Sequence, residues 1–241
     1  MKAPWLKGFT AILALTITIN LSAQDYWKEF KALSKSKDSI AQVALLQKWE
    51  KENDKDPQLY VAYFNYYVNA GRQSYVQLGN NPRGNDVLQL KDSSGNVAGF
   101  MYEGLNYDID LVNKGFGYID KGIKLFPNRL DMRFGKVYVY GELEDWEAFT
   151  KEIIETINYG ASINYKWLWT DGVPSKDGKK QMLDAIQSYV MQLYNTEDDK
   201  LLDNMRRVAE TVLKYEPNHV ESLSNVAITY ILTDKPDKAL E

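Results

Sequence analysis

The residues able to do chemistry are few in this chain, and their spacing decides what each can do. Gly172-Val-Pro-Ser-Lys-Asp-Gly-Lys-Lys180 places a glycine-rich turn ahead of a lysine, the ingredients of a phosphate cradle. Five residues instead of four separate the glycines, and Lys180 stands where a metal-binding hydroxyl is required, so the stretch reads as a surface turn before a helix. Gly115-Phe-Gly117 lacks the third glycine of a dinucleotide turn and lies inside a helical stripe. Ser34-Lys-Ser-Lys37 satisfies a Ser-x-x-Lys spacing, but its small and charged neighbours suit a solvated linker. His219 is the single histidine and there is no cysteine. Cysteine nucleophiles, disulfides and zinc sites built from cysteines or several histidines are therefore excluded. Asp108 with Asp110, and Asp198 with Asp199, are acid pairs, but neighbours one or two apart do not share a helix face. They suit helix starts, where carboxylates meet the positive end of the dipole.

Binding chemistry is better represented. Aromatics make up 13% of the 241 residues, with 17 Tyr and 6 Trp. Tyr165, Trp167 and Trp169 fall in one turn-rich stretch, and Trp167 and Trp169 would point the same way if that stretch were extended. These three are the candidate ligand contacts, against a reading in which such rings are core. Tyr60, Tyr63, Phe64, Tyr66 and Tyr67 occupy more than one helix face and suit packing between helices. No catalytic, cofactor-binding or metal-ligating constellation emerges. The formal net charge of −4 carries no basic footprint for nucleic acid.

The elements that must position these residues begin after an address. Lys2 and Lys7 precede an uncharged stretch over 8–24 whose apolar heart is Ala11–Ile19, followed by Leu21-Ser-Ala23. This is the layout of a cleaved secretory leader over 1–23, and its apolar heart is short for a bilayer of about 30 Å. The expectation is a protein exported to the periplasm or beyond, with no stable membrane insertion after cleavage.

From residue 24 the chain reads as amphipathic helices. Ile109, Val112, Phe116, Ile119, Ile123 and Phe126 follow the helical period, as do Leu201, Met205, Val208, Val212 and Tyr215. Met182, Ile186, Tyr189 and Leu193 make a third stripe, and Ile40, Val43, Leu46 and Trp49 a shorter one over 38–53. Asp56-Pro57, Phe126-Pro127 and Glu216-Pro217 punctuate these helices. Two stretches break the period. One, about 72–105, holds a predicted β-hairpin at about 86–102 around Ser93-Ser-Gly-Asn96; the other, about 159–177, holds the Tyr165–Trp169 aromatics.

The final stretch resembles the tetratricopeptide repeat. Leu223, Val226, Ala227 and Tyr230 have the spacing of that repeat's first helix, Ala239 falls at a small position of its second, and Pro217 closes the repeat before. Asn218 with Glu221 would cap the helix. Gly115, Ile119, Gly122 and Pro127 are similar to a second helix, and Phe134, Gly135 and Tyr138 to the first helix after it. The resemblance implies an all-α solenoid of helical hairpins over 24–241 with the two insertions. It also implies a non-enzymatic scaffold that takes a protein or peptide on its concave face. The alternatives are a glycan-binding accessory protein of the cell envelope and a hydrolase using carboxylates of the inserted loops. Helix 220–232 lacks a full partner before Glu241, so the chain is expected to be an N-terminal fragment of a longer repeat protein or to pack its end on another molecule.

Overall fold

The computed structural model describes residues 23–81 and 87–239. The expected leader lies outside the described residues except for Ala23, where the first helix begins. Among the described residues nine α-helices follow one another: α1 Ala23–Ser36, α2 Ser39–Glu52, α3 Pro57–Gly71, α4 Ile109–Leu125, α5 Leu130–Glu142, α6 Trp146–Ser162, α7 Gly178–Tyr194, α8 Leu202–Leu213 and α9 Val220–Leu232. Between α3 and α4 lie three strands, β1 Arg72–Gly79, β2 Val87–Lys91 and β3 Val97–Tyr107.

Local chemistry sets these boundaries. Asp38, Asp56, Asp108, Asp145 and Asp177 each stand just before a helix and accept a hydrogen bond from one of its first backbone N–H groups. Those groups have no partner inside the helix, so each cap contributes about 1 kcal/mol. Asp108 is thus a cap with Asp110 in the first turn, and Asp198 caps the short 3-10 turn at Asp199–Leu201. Ser34 to Ser36 close α1 instead of forming a linker, with Lys37 taking the left-handed conformation just beyond. At α9 the expected Asn218 cap gives way to His219, whose ring nitrogen accepts from Ser222 N at 3.3 Å. A turn bond from His219 N to Glu216 O pushes the helix start one residue along.

The packing is sequential. Every strongly packed helix pair joins helices one or two places apart in the chain. The interior is accordingly divided into three consecutive cores. The first gathers Tyr26, Phe30, Leu46, Trp49 and Leu59 from α1–α3. The second holds Phe64, Val112, Phe116, Ile119 and Met132 from α3–α5. The third runs from Leu130 and Phe134 on α5 to Val208 and Val212 on α8. Each fully buried large apolar side chain contributes about 2 kcal/mol.

The tightest pair is α3 with α4, and small residues allow it. A Cβ on Gly115 would lie 3.3 Å from Phe64 O, and one on Gly122 would lie 2.8 Å from Tyr60 Cβ. Ile119 between them is 1% exposed. Across the next layer Lys136 of α5 joins α4 and α6, with Nζ 2.7 Å from Asp120 Oδ1 and 2.8 Å from Glu152 Oε2. Burial pulls that ammonium down, but the two carboxylate hydrogen bonds outweigh it and hold it above its ordinary pKa.

Two expectations change. The chain is mainly helical as expected, but the inserted hairpin supplies two strands of a three-stranded antiparallel sheet in the order β1-β3-β2. β3 runs on to Tyr107 and pairs along its length with β1, Arg72 opposite Tyr107 and Gly79 opposite Phe100. The hairpin itself forms around Asp92, which accepts from the N–H groups of Ser94 and Asn96.

The second change concerns α9, which supplies no residue to any of the three cores. It turns Ser222, Asn225 and Thr229 inward and leaves Leu223 48% and Ile231 56% exposed. Hydrogen bonding decides this orientation. Arg206 Nε of α8 donates to Thr229 Oγ1 at 3.0 Å, Asn225 donates to Gln187 of α7 at 2.8 Å, and the Arg206 guanidinium covers the Tyr230 ring at 4.4 Å. Leu223 is therefore not a packing residue, and Val226, Ala227, Tyr230 and Ala239 are only half-buried. Tyr138, expected in the interior, is 58% exposed, while Phe134 on the same helix is buried. No helix among the described residues is long and apolar enough to cross a membrane.

Candidate functional site

The first helices of three successive hairpins, α1, α3 and α5, frame a cleft of about 250 Å³. Trp27 enters it from α1 and Ile119 from α4. Gln58, Val61 and Asn65 enter from α3, three and four residues apart and therefore on one face. Asp131, Met132 and Gly135 come from α5, and Thr170 from the loop that joins α6 to α7. The cleft thus combines an indole, two side-chain amides, a carboxylate, a hydroxyl and an apolar base.

Its polar wall is held by a hydrogen-bonded chain. Arg129, 1% exposed, grips Asp131 with Nε to Oδ1 at 2.8 Å and Nη2 to Oδ2 at 2.6 Å. The same Nη2 donates to Gln58 Oε1 at 3.0 Å. Gln58 Nε2 in turn donates to Asp171 Oδ1, and Gln58 N to Asp56 Oδ1. Asp56 takes a further bond from Trp49 Nε1 at 2.9 Å. Four segments are joined in this way: the end of α2 and the start of α3, and, distant from them in sequence, the start of α5 and the 163–177 loop. Both oxygens of Asp131 and of Asp56 are occupied. A carboxylate that already accepts on both oxygens is a positioned acceptor. Arg129 Nη1 and Trp167 Nε1 are buried with no hydrogen-bond partner among the described residues.

The loop carrying Thr170 and Asp171 is pinned to α5. Leu168 N donates to Asn128 O at 2.9 Å and Leu130 N to Leu168 O at 3.0 Å. It then reverses at Asp171 and Gly172, both in the left-handed region at φ +60° and +70°. That conformation suits glycine and is tolerated by aspartate, so Asp171-Gly172 is a turn signal that sequence shows directly.

The three aromatic candidates are separated by this loop. Trp167 is 1% exposed and packs against Gly160, Gly178 and Tyr159, so it is core and not a ligand contact. Tyr165 is half-buried, its hydroxyl donating to Glu216 Oε1 at 2.9 Å. Burial, then that hydrogen bond, push its pKa up to about 12. Trp169 alone of the three is well exposed, at 37%. The two tryptophans thus differ in burial, and Leu168 between them forms bridges with Arg129 and with Pro174 just before the turn.

The acids of the insertions are dispersed. Asp92 organises the hairpin turn, Asp171 accepts from Gln58, and Asp177 caps α7. Among the described residues no three His, Cys, Asp or Glu side chains gather as a metal site. The cleft residues Trp27, Gln58, Asn65 and Asp131 escaped sequence reading because each comes from a different helix or turn and none belongs to a motif. The signal available was the proline-marked helix start, which repeats an acid or amide just inside successive helices.

No family model matches this chain, and no curated protein matches it.

Proposed function

We propose that this protein is an exported, non-enzymatic scaffold, similar to tetratricopeptide-repeat proteins, that binds a peptide segment of a protein partner. The observation that carries the reading is the cleft framed by the first helices of successive hairpins in a chain whose helices pack in sequence order. A solenoid built this way presents its first helices side by side along one surface. Amides and a fixed carboxylate beside an indole suit a peptide, whose backbone offers both donors and acceptors and whose side chains fill the apolar base.

Asn65→Trp tests this, because it fills the cleft without touching the Arg129 network. Capture from envelope extract is expected to recover a specific partner with the unaltered protein and to lose it with Asn65→Trp. Recovery of the same proteins by both, or of none by either, counts against the cleft. Export is tested by the mass of the protein recovered from cells, expected to match a chain cleaved after Ala23.

The glycan reading rests on Trp169, the exposed ring beside the cleft loop. Titration of tryptophan fluorescence with an oligosaccharide panel separates it from the peptide reading. A shift lost in Trp169→Ala would favour sugar.

A further inference from the structure

Tyr60, Tyr63 and Tyr67 stand three and four residues apart on α3, and Gly115, Tyr118 and Gly122 repeat that spacing on α4. Each trio therefore lies along one helix face. The two faces meet with Gly122 at Tyr60 and Gly115 at Tyr67. The glycines bring the backbones close, and Tyr118 between them meets Tyr63 face to face. Their ring centroids are 4.0 Å apart and their planes 10° from parallel. Tyr67 extends the stack, 5.7 Å from Tyr118, and Tyr66 closes on Tyr67 edge-on at 5.2 Å. Among the described residues tyrosine rings touch one another in this cluster alone.

The hydroxyl end of the stack meets a carboxylate. Tyr63, 5% exposed, donates to Glu50 Oε2 of α2 at 2.8 Å. Burial, then that hydrogen bond, push the Tyr63 phenol well above its ordinary pKa, so it keeps its proton. Tyr118 is raised too, by burial and then by the Glu50 and Tyr67 charges, while hydrogen bonding with Tyr63 lowers it. The hydroxyls of both stacked rings are thus neighbours of each other and of Glu50. Three other tyrosines donate to carboxylates: Tyr26 to Glu52, Tyr107 to Glu142 and Tyr165 to Glu216. Tyr26 stacks on Trp49, and among the described residues none of the three has a tyrosine ring against it.

We propose that the Tyr63–Tyr118 stack is a site of oxidative cross-linking, where a one-electron oxidant of the peroxide class joins the two rings. A phenol gives up an electron readily when its proton leaves at the same time, and a carboxylate at hydrogen-bond distance is placed to take that proton. Tyr63 loses an electron to the oxidant and its hydroxyl proton to Glu50, which passes it to solvent. Tyr118, half-buried, loses an electron to the oxidant and its hydroxyl proton to water. The two radicals pair their odd electrons in a C–C bond between ring carbons ortho to the oxygens. In a face-to-face stack with neighbouring hydroxyls these carbons lie beside each other. Each carbon then passes its hydrogen to its own oxygen, which restores two phenols. The chain has lost two hydrogens, and the O–O bond of the peroxide has taken up two electrons and two protons. The product ties α3 to α4 beneath the strands that connect them. The chain has no cysteine, so no thiol intercepts the oxidant.

Ruthenium tris-bipyridine under visible light, with peroxodisulfate as the terminal oxidant, tests the site in the purified full chain. Dilute protein should lose two hydrogens, gain dityrosine fluorescence and stay monomeric. Trypsin should then release Asp56–Arg72 joined to Gly115–Lys121, whose single tyrosine is Tyr118. Fragment masses should place the other end at Tyr63. Tyr63→Phe and Tyr118→Phe should each abolish this product, and Tyr75→Phe, at an exposed ring on β1, should leave it unchanged. Glu50→Gln keeps the stack and removes the proton acceptor, so the initial rate should fall by about tenfold or more. One readout needs no variant: in denaturing urea the product should give way to cross-links scattered over the 17 tyrosines. Cross-links scattered in the folded chain overturn the proposal. So does a Tyr63–Tyr118 product formed as readily in urea, a yield undiminished in Tyr63→Phe, or a rate undiminished in Glu50→Gln.

Discussion

The three glycines of α4 offer a graded test of the sequential packing. Gly117 is exposed, and a Cβ there meets nothing within 4 Å. Gly117→Ala should therefore show only the backbone effect, a gain of about 1 kcal/mol from better helix propensity and a less free unfolded chain. Gly122→Ala receives the same gain and meets a collision. Its Cβ would sit 2.8 Å from Tyr60 Cβ and 3.2 Å from Met132 Sδ. Carbon atoms in contact prefer about 3.5–4.0 Å. Met132 can give by rotating its thioether, but Tyr60 Cβ is fixed to the α3 backbone. The Tyr60 hydroxyl is also tethered to Asp54 O at 2.6 Å. The two helices must then part by about 1 Å, which loosens the Gly115 contact as well. Overpacking of this kind costs about 1–3 kcal/mol, so Gly122→Ala should lie about 1–3 kcal/mol below Gly117→Ala in stability. For a chain of this size that gap is about 3–10 °C in Tm. Gly115→Ala, at 3.3 Å from Phe64 O and 3.4 Å from Tyr67 Cβ, should fall between them. Urea unfolding followed at 222 nm measures all three, with unchanged m-values showing that only stability moved. Equal stability of Gly122→Ala and Gly117→Ala would refute the close approach of α3 and α4.

Other variants address the charge networks and the last helix. Arg129→Met leaves Asp131 and Gln58 without their donor and should cost about 3 kcal/mol. Adding Asp131→Leu should recover most of that loss, because replacing a buried ion pair with apolar side chains is close to neutral. At high pH, Tyr26, Tyr107 and Tyr165 matter, since burial first, with a nearby carboxylate adding to it, raises each to about 12 from 10.0. The protonated phenols favour the folded chain, so their contribution is complete below pH 10 and lost as pH rises toward 12. Absorbance at 295 nm should show these tyrosines ionising late and together with loss of helix. Glu216 behaves oppositely: the Lys179 hydrogen bond, opposed by burial and aided by Tyr165, holds it below its ordinary value. Its contribution is present above about pH 4.5 and lost on acidification, and Lys179→Met should flatten that acid limb of the stability curve. Leu223→Glu and Ile231→Glu should each change stability by less than about 0.5 kcal/mol, whereas Arg206→Ala, which removes the partner of Thr229 and the cover of Tyr230, should release α9 and cost about 1–2 kcal/mol.

What was legible in sequence, and what was not, divides along a physical line. Helices with one apolar stripe could be placed almost to their ends, because periodicity and the Asp or Pro at the start are properties of a single segment; α4 is the clearest, with Val112, Phe116 and Ile119 all buried as the stripe requires. β1 was missed because Arg72-Gln-Ser-Tyr-Val-Gln-Leu-Gly79 has weak alternation of its own and becomes a strand only by pairing with the far half of β3. α9 was read from the wrong face. Its aliphatic residues carry the spacing of a packed stripe, yet Arg206 and Gln187 on the neighbouring helices offer hydrogen bonds that only Thr229 and Asn225 can meet. A buried hydrogen-bonding group left unmet costs about as much as burying one aliphatic side chain contributes, so the partner's chemistry, absent from the helix's own sequence, decides which side faces in. The cleft follows the same rule. Trp27, Gln58, Asn65 and Asp131 have no spacing in common, and what joins Gln58 to Asp131 is Arg129, an arginine that stands alone at a helix start and becomes informative only when those two are found in its grip.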